Sequence, residues 1–72
     1  MEHPGTRLKN LREARGLSID ELITQLNLNP RSRDMHFLLL RAWEYGVGYL
    51  WDTMTKALAN YFGVTTDYLL GL

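Results

Sequence analysis

The sequence predicts an all-α domain of five helices, on three observations. Apolar residues recur at helical spacing along most of the chain, and no run shows the period-two alternation of a strand. Glycine or asparagine follows the helical stretches at Gly16, Asn27, Gly46 and Gly63, where a left-handed residue ends a helix. The stretch from Asn29 to Gly46, NPRSRDMHFLLLRAWEYG, passes from polar, basic residues into a dense apolar run without a break in helical pattern.

Residues 1–5 predict a frayed lead-in, because Pro4 and Gly5 oppose regular structure. Thr6 is then placed to cap a first helix running through Arg15, with Leu8, Leu11 and Ala14 inward and Gly16 closing it. Ser18-Ile19-Asp20-Glu21 has the spacing of a capping box, in which Ser18 and Glu21 each satisfy an orphan donor of the helix start. The second helix runs to about Leu26, with Ile19, Leu22, Ile23 and Leu26 forming one apolar stripe. Asn27 suits a left-handed stop, and Leu28 is expected under the turn that follows.

Only about three residues then separate this helix from Pro30, the short joint of a helix-turn-helix. Asn29 suits the cap and Pro30 the first helical position, where its missing N–H is not needed. In this third and longest helix Phe37 to Leu40 are consecutive apolar residues, more than a full turn, so contact from several sides is expected. Either the helix runs through the middle of the domain or part of it meets a partner. Val47 to Trp51 form an unusually apolar loop. Asp52 is placed to cap a fourth helix over 53–62, with Met54, Leu58, Ala59 and Phe62 inward and Ala57 or Tyr61 at the edge. Thr65 or Thr66 caps a short fifth helix through Leu70, with Asp67 near its positive end.

Seventy-two residues make a single domain, 1–72, with a modest core; a chain of this size buries only about 60% of its unfolded surface. There is no cysteine, which excludes disulfides, thiolate metal sites and thiol nucleophiles and suits a reducing, cytoplasmic setting. No export leader or membrane span is legible, so a soluble chain is expected. Eight basic and eight acidic residues cancel. Up to Arg41 there are seven basic against five acidic residues, and beyond it one against three, so the cationic charge sits in the first part.

Several stretches resemble a known family. RLKNLREARGLSIDELITQLNL resembles the opening two helices of the phage-repressor/Cro-like helix-turn-helix family, while RAWEYG and KALANYFGVTTDYLLG resemble the end of its third helix and its fourth and fifth. The likeness covers most of residues 7–71. It implies a compact five-helix, lambda-repressor-like domain with a lengthened third helix. Such a domain is a transcriptional regulator, repressor-like, that binds operator double-stranded DNA as a homodimer with the third helix in the major groove. Three features depart from the family pattern. The segment between Leu28 and Trp43 is about seven residues longer than is typical, close to two turns that a helix absorbs while keeping nearly the same face inward. If the extra residues fall early, Phe37, Leu38 and Leu39 occupy the base-reading positions, and none of them offers a hydrogen bond. Ile19 stands where such proteins commonly carry a glutamine that touches the DNA backbone.

On the DNA-binding reading, Arg31 and Arg33 make bidentate contacts to guanine, Ser32 reaches a base or a phosphate, and Thr24, Gln25 and Asn27 meet phosphates. The bland alternative is an ordinary solvated helix start. No catalytic residue, metal site, cofactor or small-molecule substrate is expected. His3 lies in the lead-in, His36 among apolar residues, and neither has a metal-ligand partner at helical spacing. The competing functional reading is a protein-binding module on the same scaffold: an antirepressor, a toxin partner or a complex subunit. Phe37, Leu38, Leu39, Tyr49 and Trp51, with Met35 and Tyr45, would then form a dimer or partner interface. Zero net charge fits that reading better than it fits a free-standing DNA binder.

Overall fold

A computed structural model describes residues 3–72. The described residues form α1 (Gly5–Ala14), α2 (Ile19–Leu26), a 3-10 turn (Pro30–Ser32), α3 (Arg33–Glu44), α4 (Asp52–Phe62) and α5 (Thr66–Leu70). They contain no strand, and no helix is long and apolar enough to cross a membrane. The arrangement is a compact, all-helical five-helix bundle of generic helix-turn-helix type, in which the 3-10 turn and α3 together make the elongated element.

α1 starts two residues earlier than its sequence signal. Pro4 already has helical angles (φ −60°, ψ −18°), so Thr6 lies in the first turn instead of capping it. The Gly5 N–H instead donates to Nδ1 of His3 at 2.9 Å. Of the lead-in expected to fray, Met1 and Glu2 lie outside the described residues, whereas His3 and Gly5 pack on the end of α3 and Pro4 lies against Gly71. The His3 ring stands edge-on to Trp43 with centroids 4.7 Å apart, and Gly5 is buried. A Cβ added to Gly5 would sit 1.7 Å from the Trp43 carbonyl oxygen, so this crossing is backbone against backbone. Ala14, expected inward, is exposed. Each i+3 step falls short of a 3.6-residue turn, so the row Leu8, Leu11, Ala14 rotates out of the core by its third member. Half-buried Arg12, four residues after Leu8, faces inward in its place.

Arg12 ties α1 to α3. Its Nε and Nη2 donate to the two Glu44 carboxylate oxygens at 2.9 and 2.8 Å, and its Nη1 donates to the Leu17 carbonyl at 2.7 Å. The two side chains are only 13% and 6% exposed. The bond to Glu44 outweighs burial and holds the Arg12 guanidinium above its ordinary pKa, so the arginine stays charged.

Both ends of α2 follow the sequence. Ser18 Oγ accepts from the Glu21 N–H, the Glu21 carboxylate accepts from the Ser18 N–H, and Asn27 closes the helix in the left-handed region (φ 55°, ψ 45°). α3 also ends as expected. Gly46 has φ +89°, its N–H bonds the Trp43 carbonyl, and the Val47 N–H bonds the Ala42 carbonyl, which is the paired arrangement of a Schellman motif. The expected cap at Asp52 is displaced. Trp51 holds the extended cap position and its carbonyl accepts from both the N–H and the hydroxyl of Thr55, while Asp52 is the first helical residue, where its charge suits the helix dipole. Thr65, not Thr66, caps α5.

The core joins Leu8 of α1, Leu22 and Ile23 of α2, Leu40 and Trp43 of α3, Leu50, then Met54, Leu58, Ala59 and Phe62 of α4, and Leu69 of α5. α3 packs on α1 and α2, α5 on α1 and α4, and α2 also on α4. One side of α3 therefore stays open: Phe37, Leu39 and Leu40 are in or against the core, as contact from several sides requires, whereas Leu38 is 66% exposed.

Candidate nucleic-acid interface

The joint between α2 and α3 is built from local signals. Left-handed Asn27 turns the chain, half-buried Leu28 packs beneath the turn against the core, and Asn29 Oδ1 accepts the Arg31 N–H at 3.0 Å. Pro30 then opens the 3-10 turn. Ser32, half-buried (φ −104°, ψ 15°), passes the chain into α3.

The two arginines proposed from sequence have different surroundings. Arg31 is exposed, and among the described residues its guanidinium has no ion pair or hydrogen bond. Arg33 bends back over α2. Its Nη2 donates to the Asp20 carbonyl at 2.8 Å and to the Thr24 hydroxyl at 2.9 Å, with the Asp20 carboxylate 3.8 Å away. Arg33 and Thr24 are thus brought together, each occupied in part by the other. Gln25 and Asn27 are exposed. They share the α2 end with Thr24, but Gln25 lies at the next position round the helix.

The five apolar residues of the long helix and loop separate into two groups. Phe37, Leu39 and Trp51 are half-buried and pack against the core, Trp51 standing edge-on to buried His36 with ring centroids 6.3 Å apart. Leu38 and Tyr49 are exposed. Around α3, Leu40, Trp43 and His36 mark the inner side. Met35, Leu38 and Tyr45 stand outward with Asp34 and Arg41.

Two cations outside the sequence-derived site, Lys9 and Arg41, line a groove of about 360 Å³ between α1, the start of α2 and α3. Ser18, Ile19 and Asp20 form one wall, with Phe37 and Tyr45 on another. The Arg41 guanidinium lies 5.9 Å from the Phe37 ring centroid and 5.7 Å from that of Tyr45, a spacing that holds it against the aromatic faces. Among the described residues the ion pairs are Arg12–Glu44 and Arg33–Asp20, so Lys9, Arg31 and Arg41 keep their charge unmatched. Arg41 could have been found from the sequence by its i+3 spacing from Leu38. Lys9 could not, since its meeting with α3 is tertiary.

Compared with protein-family models, curated proteins and solved structures, the chain has no match.

Proposed function

We propose that this chain is a sequence-specific DNA-binding regulator of repressor type, acting as a homodimer with α3 laid in the major groove. One observation carries the reading. The helix-turn-helix leaves the outward side of α3 uncovered, and three unmatched cations, Arg31, Arg41 and Lys9, border it. Such cations attract phosphate at long range, and their effect is local, although the total charge of the chain is zero. The resemblance of residues 7–71 to phage-repressor-like domains supports the same reading. Arg31 is the proposed base-reading residue with the fewest competing contacts, while Arg33 must first release α2. Thr24, Gln25, Asn27 and Ser32 are proposed to settle the duplex through its backbone.

The test is selection from random duplex DNA at low salt, followed by titration at rising salt. Binding is expected to fall linearly on a log–log scale as counterions are released. Arg31→Ala is expected to weaken the selected sequence by about 1–3 kcal/mol and to relax preference at one position. Failure to retain any duplex at low salt would falsify the proposal.

A second reading is favoured by the exposure of Met35, Leu38, Tyr45, Val47 and Tyr49, each more than half accessible. On it, the outward side of α3 and the following loop seat another protein. Light scattering at micromolar concentration distinguishes the two. Self-association that Leu38→Asp abolishes, in a protein indifferent to DNA, gives this reading precedence.

A further inference from the structure

The outward side of α3 has a chemistry that restricts what it can read. Leu38 (66% exposed) and Met35 (55% exposed) stand there without a hydrogen-bonding group. Ala42, next along the same side, is half-buried and equally apolar. In the major groove, base edges present hydrogen-bond donors and acceptors and a single apolar feature, the C5 methyl of thymine. An apolar strip bordered by unmatched cations is complementary to a polyanion that carries methyl groups on its floor. Arg31 lies one turn before Met35, Arg41 one turn after Leu38, and Lys9 across the groove from Arg41. Asp34, the acidic residue of this side, is matched only by the exocyclic amino group of a base such as cytosine.

We propose that Met35 and Leu38 are the specificity-determining residues of α3 and read thymine methyl groups, so that each half-site holds A·T pairs between positions set by the flanking arginines. This inference rests on the DNA-binding reading above. The methyl contact supplies discrimination by apolar burial, and Arg31 and Arg41 supply the charge-assisted contacts on either side. Leu38 is free to do this because Leu40, Trp43 and His36 take the inner side of the helix, and its truncation leaves the core intact.

The experiment replaces thymine by deoxyuridine, one position at a time, in a duplex selected from random sequence. This removes the methyl and retains every hydrogen-bonding group. Binding is expected to weaken about fourfold for each methyl that the helix covers, the factor corresponding to one buried carbon. With Leu38→Ala, confirmed folded by circular dichroism and an unchanged melt, affinity for the thymine duplex falls and the thymine–uracil difference vanishes at one position. If a selected duplex binds but tolerates uracil everywhere, DNA binding stands and methyl reading is overturned. Selected sites that contain no thymine would overturn methyl reading equally. If no duplex binds at low salt both proposals fall, and association abolished by Leu38→Asp would assign the strip to a second copy of the chain.

Discussion

Gly5 shows how one missing atom can set the spacing of two helices. Its backbone is helical, so by propensity alone Gly5→Ala would stabilise α1 by about 1 kcal/mol. The added Cβ, however, would fall 1.7 Å from the oxygen and 2.6 Å from the carbon of the Trp43 carbonyl, and neither atom can swing aside as a side chain does. α1 and α3 would have to separate, so the expected outcome reverses to a net loss of about 1–3 kcal/mol, read from the urea midpoint at unchanged slope. Arg12 and Glu44 offer a second residue-scale test. Arg12→Ala strands a carboxylate that is only 6% exposed, and a loss of about 2–3 kcal/mol is expected. Replacing the pair together, Arg12→Met with Glu44→Leu, should recover most of it, because no buried charge is left without a partner. A double-mutant cycle measured by denaturant unfolding checks both. Neither the Gly5 crossing nor the bidentate geometry was legible in the sequence, since each joins residues more than thirty positions apart.

Single elements were legible where their signals are local. α2 is the clearest case: Ser18, Glu21 and Asn27 act within four residues of the groups they satisfy, and all three stand where the sequence placed them. The Glu21 carboxylate is held below its ordinary value of 4.5, first by the Ser18 N–H and then by the Ser18 hydroxyl. A depressed acid contributes its full stabilisation above the unfolded value and loses it as pH falls through the folded one. The α2 start is therefore expected to weaken as pH drops below 4.5. Glu21→Gln, which retains an acceptor but does not titrate there, should flatten that part of the stability–pH curve in thermal melts. α1 and α4 were less legible at their starts. His3 supplies an acceptor at α1 from outside the helix, and Trp51 rather than Asp52 takes the extended cap position of α4. In α3, four consecutive apolar residues gave no face to choose, and only packing against α1 and α2 shows that Leu38 is the one left outside.

At the scale of the whole molecule the helix count and the short α2–α3 joint were legible, because glycine and asparagine stops mark boundaries without reference to distant partners. The candidate site was legible only in part. By sequence Arg31 and Arg33 are equals, yet a hydroxyl and a carbonyl of α2 engage Arg33 and leave the Arg31 guanidinium unbonded among the described residues. Lys9 and Arg41 meet across a groove that no spacing along the chain announces. One further contact spans nearly the full chain. The Arg7 guanidinium donates to the Tyr68 carbonyl at 2.7 Å and lies 4.8 Å from that residue's ring centroid, and Pro4 lies against Gly71. α5 is too short to persist as a helix unsupported, so it survives only while α1 and α4 hold it. Native-state hydrogen exchange should therefore find the amides of α5 opening in step with those of the first turn of α1, with one shared free energy and one shared response to mild denaturant. Arg7→Ala should lower the protection of both together, while amides at the centre of α4 keep exchanging only through global unfolding.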